Sequence, residues 1–113
     1  MGRFAMTGRT FKTERANELV GRAVWEMAVS DATLVDRLCW AWEHHLSLLQ
    51  SPGVPWPDLA DDFRDIADYF KSDPKTGQLI ARTLAPDAQS HLAKEIYSFF
   101  AGVSRRHYTG SEQ

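Results

Sequence analysis

"DLADDFRDIADYF", residues 58–70, decides the fold class. Leu59, Phe63, Ile66 and Phe70 recur at intervals of three and four, so they share one side of a helix. Asp61, Asp62, Asp65 and Asp68 fall away from that stripe. A strand would alternate its apolar residues in twos, and no stretch of the chain does so convincingly. Immediately upstream, "SPGVPWP" (51–57) places three prolines and one glycine in seven residues, which stops any preceding helix. Trp56, held in so rigid a loop, suits a plug at the end of a helical core.

Working outward, the same periodicity recurs. Ala16, Leu19, Val20, Ala23, Val24 and Met27 share a face, giving a helix near 14–29 with Thr13 as N-cap. A second helix is expected over 31–50, with Ser30 as cap and Asp31 beside its positive end. Downstream of 58–70, Asp73 and Pro74 read as the start of a short helix over 74–84. A last helix near 87–106 aligns Ala88, Leu92, Ile96, Phe99 and Val103 and ends in "SRRHY", whose positive charge suits a carbonyl end. The expectation is an all-α compact bundle of about five helices, one of them short. Residues 13–108 form its single domain, with residues 1–12 a mobile arm and 109–113 a disordered tail.

With 113 residues, 43% of them apolar and four of them tryptophan, the chain has the material for one core. A single cysteine, Cys39, excludes an intramolecular disulfide and a cysteine-rich zinc site, and fits a reducing, cytoplasmic setting. No apolar run approaches the roughly 18–20 residues that cross a bilayer. The opening "MGRFAMTGRTFK" lacks the apolar stretch of a signal peptide. Charge is uneven: residues 1–22 carry +3, residues 23–73 carry −7 and residues 74–113 carry +2.

The stretch "LCWAWEHHLSLL" (38–49) holds two tryptophans and two adjacent histidines. On a helical wheel Val35, Leu38, Cys39, Trp42, Leu46 and Leu49 point inward, with His45 at the margin. Trp40, His44 and Arg37 take the opposite side. Trp40 and His44 are i and i+4, so their rings can touch. Adjacent histidines diverge by about 100° on a helix and cannot share an ion, so no metal is expected there.

Arg37 and His44 together resemble the Arg…His motif of HEPN-domain ribonucleases, which are helical bundles that usually dimerise to bring two such motifs together. The resemblance covers this pair and the generic helical fold, and Leu38 stands where that motif typically has a polar residue. It implies metal-independent RNA cleavage, with His44 in acid/base chemistry and Arg37 binding phosphate.

Asp58, Asp61, Asp62, Asp65 and Asp68 form an acidic face. Their i,i+4 pairs carry no complementary ligand set, so a solvated surface that attracts basic groups is expected. Arg3, Arg9 and Lys12 interleave with Phe4 and Phe11, and Arg105, Arg106, His107 and Tyr108 close the chain's last helix. Such ends could touch nucleic acid, but a pI near 6.0 without a long basic stripe is not that of a dedicated reader.

What remains is an apolar surplus. Trp25 and Val29 lie opposite the first stripe, Trp40 opposite the second, and Tyr97 and Ala101 opposite the last. The expected function is therefore a small non-enzymatic regulatory protein of the anti-activator, inhibitor or immunity type. It would use no cofactor and would dimerise or mask a protein partner through Trp25, Val29, Arg37, Trp40 and His44, an aromatic patch edged by acidic charge.

Overall fold

The computed structural model describes residues 2–50 and 53–109, with side chains from residue 12 onward. It is all-α: α1 (Gly2–Val29), α2 (Leu34–His44), α3 (Pro57–Asp68) and α4 (Pro86–Thr109), with short 3-10 turns at Leu46–Leu48 and Ile80–Thr83. Four helices stand where five were expected. Among the described residues, no helix is long and apolar enough to cross a membrane.

Helix α1 starts at Gly2, well before Glu14, and takes in the segment expected as an arm. No proline interrupts residues 2–13, and a glycine inside a helix costs only about 1 kcal/mol, so a helix anchored by its buried half can propagate outward. Thr13 is thus inside the helix and not its cap. Its hydroxyl instead meets Nδ1 of His107 at 3.1 Å. The side chains of Phe4, Met6 and Phe11 lie outside the described residues, as does all of the expected tail 109–113 except Thr109, which ends α4.

The cap of α2 is Thr33, not Ser30: its Oγ1 accepts from the Asp36 amide at 3.3 Å. Ser30 turns the connection instead, accepting from the Ala32 amide at 3.2 Å. The helix ends at His44, six residues before the expected Gln50, because His45 leaves helical geometry at φ −132° and ψ −61°. Leu46 and Leu49 still reach the core beyond that break, at 1% and 3% exposed.

The expected helix over 74–84 is absent. Asp73 caps a turn in its place: its carboxylate accepts from the Lys75 amide at 2.8 Å, and its carbonyl accepts from the Gly77 amide at 2.8 Å. Gly77 sits at φ +73°, in the left-handed region, and Ser72 bridges to Leu79 across the turn. Asp-Pro followed by glycine specifies a tight turn as readily as a helix start, and the glycine decides between them.

Helix α1 packs against both α2 and α4, and α4 also packs against α2 and α3. α1 meets α4 where Thr13 faces His107 and Gly21 approaches Phe100, and α3 meets α4 at Leu59 and Gly102. The expected stripes supply the interior: Ala16, Leu19, Val20, Ala23 and Met27 from α1, Leu59, Phe63, Ile66 and Phe70 from the third segment, and Leu92, Ile96, Phe99 and Val103 from α4. Trp56 plugs the core at 2% exposure. Trp42 is half-buried and not fully inside. It stacks on Phe70 with ring centroids 4.8 Å apart and planes 2° from parallel, and Phe63 and Phe99 continue the aromatic layer.

Candidate protein-binding cleft

A short connection, residues 30–33, folds α2 back along α1, so the last turns of α1 face the first turns of α2. A cleft of about 450 Å³ opens between them. Trp25 and Val29, one turn apart on α1, form one wall, and Ala32 and Trp40 the other. Glu26, Asp36 and Arg37 set its charged rim. Trp25, Val29 and Trp40 are 64%, 58% and 53% exposed. Four of the five residues expected at a binding surface thus meet in one concavity, although they come from two helices.

The fifth, His44, backs the cleft. Its ring lies 3.9 Å from that of Trp40, centroid to centroid, and tilts by 34°, which holds the indole in place. His45 turns elsewhere: its Nε2 is 2.9 Å from Oε1 of Glu26, across the α1–α2 interface. The two adjacent histidines therefore serve different surfaces. Arg37 Nη1 donates to the Met27 carbonyl at 2.8 Å, which satisfies a carbonyl in the last turn of α1. The guanidinium named by the HEPN resemblance is thus engaged with its own backbone.

The rim charges are also tethered. Arg82 donates to Asp36 at 2.8 Å, and that hydrogen bond, with a second from the Thr33 hydroxyl, holds the Asp36 carboxyl below its ordinary value. The same bond raises Arg82. Burial pushes the Cys39 thiol up, away from the thiolate form.

The acidic face of α3 does not border the cleft; its acidic edge is Glu26 and Asp36. Much of the α3 charge is met inside the chain. Arg106 grips both carboxylate oxygens of Asp58 and holds its pKa down to about 2, the hydrogen bond being the main cause. Asp61 pairs with Arg64, and Asp68 with Lys71 at 2.8 Å. Asp62 and Asp65 flank a separate recess shared with His91, Lys94 and Glu95 of α4. The basic end of α4 is therefore partly spent on the acidic helix. Tyr97 and Ala101 stay exposed on α4 and take no part in the cleft.

Sequence reasoning missed Glu26, Asp36 and the exposed Leu48 as surface features. Asp36 had a signal, since it precedes Trp40 by one helical turn. Glu26 had none, because its partner His45 is 19 residues away and meets it only through the tertiary fold. Among protein-family models, curated proteins and solved structures, no match to this chain is found.

Proposed function

We propose that this chain is a small non-enzymatic binding protein, of the anti-activator, inhibitor or immunity type, that takes a protein partner in the Trp25–Trp40 cleft. One observation carries the reading: Trp25, Val29 and Trp40 are each more than half exposed and gathered in a single apolar concavity. Leaving such a surface wet is unfavourable, and contiguous apolar patches on small proteins mark interaction sites. Tryptophan and arginine are the side chains that most often dominate binding energy. Here the Arg37 and Asp36 tethers and the His44 ring also hold the walls in place, which lowers the ordering cost of association.

The test compares Trp25→Ala and Trp40→Ala with the wild type in two assays. Both variants keep the helical circular dichroism and the melting temperature, yet lose association, whether with a second copy in light scattering or with a captured cellular partner. Unfolding of both variants would show that the tryptophans serve the monomer and would remove the basis for the reading.

A further inference from the structure

The exposed line that carries Trp25 and Val29 does not stop at the cleft. Positions 4, 11, 18 and 25 of α1 are seven apart, and positions 15, 22 and 29 follow 11, 18 and 25 by four. Such positions make one broad helical face that drifts by about 20° every seven residues. Where side chains are described this face is open: Arg15, Glu18, Arg22, Trp25 and Val29 are all exposed. At positions 4 and 11 the residue is phenylalanine.

Helix α1 also outruns the body that covers it. Thr13 is level with His107, Gly21 is level with Phe100, and α4 ends at Thr109. The first turns of α1 therefore extend past the end of α4. Charge divides along α1 and the start of α2. Residues 2–15 hold four basic side chains and one acidic, whereas residues 16–40, which include the cleft and its rim, hold two basic and four acidic. The helix dipole adds about half a positive charge at the N-terminal end. A parallel second copy would set like charge against like. An antiparallel copy sets each basic half against the other's acidic half, twice, around a two-fold axis.

We propose that the occupant of the cleft is the N-terminal end of α1 from a second copy of this chain, the two α1 helices running antiparallel about a two-fold axis. This rests on the cleft being a protein-binding site and names its partner. A 28-residue helix is about 42 Å long, so full overlap lays the first turns of one copy beside the last turns of the other. There the basic, dipole-positive helix start comes level with the acidic rim of the other copy, and position 4 comes level with the last turn of the other copy's α1.

Single-cysteine cross-linking tests the geometry. Arg3→Cys and Ser30→Cys variants are treated with a short bis-maleimide, each alone and mixed, with the parent protein as the control for buried Cys39. The expected result is a dimeric wild type in light scattering, a covalent dimer in the 3/30 mixture, and at least tenfold less product from either variant alone. Dominant 3–3 or 30–30 products, or a monomeric wild type, would overturn the antiparallel pairing. If the wild type is monomeric yet Trp25→Ala still abolishes capture of a cellular partner, the pairing fails while the cleft reading survives. If Trp25→Ala leaves both cross-linking and capture unchanged, both fail.

Discussion

Arg37 Nη1 donates to the Met27 carbonyl at 2.8 Å, so the first turns of α2 are pinned across the end of α1. The bond is charge-assisted and partly buried, the kind worth about 1.5–3 kcal/mol. Arg37→Ala is expected to lower unfolding free energy by about 2 kcal/mol in a urea titration. Because the same bond fixes the angle between the two cleft walls, association weakens more than the stability loss alone would explain. An Arg37→Ala protein with unchanged stability would show that the carbonyl is equally well served by water.

The Asp58–Arg106 pair makes a pH prediction with a definite sign. The folded-state pKa of Asp58 is held at about 2, below its ordinary 3.8. A depressed carboxylate stabilises the fold above its unfolded pKa and loses that contribution as pH falls through the folded value. The window is therefore between about pH 4 and pH 2. Both groups sit near solvent, so the effect is a modest one for a surface pair. Denaturant midpoints of wild type and Asp58→Asn should differ at pH 6 and converge near pH 2. A constant difference across that range would assign the effect to something other than the ionised carboxylate.

The helical stripes were legible because they depend only on spacing: every apolar residue aligned on 58–70 is buried, as are four of the five aligned on the last helix. Boundaries were less so. Ser30 and Thr33 are both chemically able to cap, and only the path of the connection selects Thr33. The site was half legible. A helical wheel can say that Trp25, Val29 and Trp40 point away from their own stripes, but it cannot say that the α1–α2 turn brings them together. Nor can it show that the acidic helix lies on other elements, paired with Arg106 across 48 residues of sequence.

Two glycines should respond to alanine with opposite signs. Gly77 holds φ +73° with open space around its missing Cβ, so Gly77→Ala meets no clash and carries only backbone strain. That strain destabilises by about 1–2 kcal/mol. Gly21 is helical, and a Cβ there would lie 3.5 Å from the Phe100 ring, an ordinary contact. Gly21→Ala should stabilise by about 0.5–1 kcal/mol through helix propensity. Thermal melts of the two variants should shift in opposite directions. A destabilised Gly21→Ala would mean that α1 and α4 lie closer than their rings allow.

Trp40 and Trp42 are two residues apart and should behave as different kinds of residue. Trp42 lies face to face with Phe70 at 4.8 Å and beside Phe63, so removing it strips one wall from the aromatic layer. Trp42→Ala is expected to cost about 3 kcal/mol, the low end for a large aromatic because the ring is only half-buried. Trp40 is 53% exposed and touches its own helix through His44. Trp40→Ala should change stability by no more than about 0.5 kcal/mol. Paired urea titrations read at a concentration where the protein is monomeric make the comparison. Equal losses would mean that Trp40 is covered within the monomer, and the cleft would then lose one of its two tryptophan walls as a free surface.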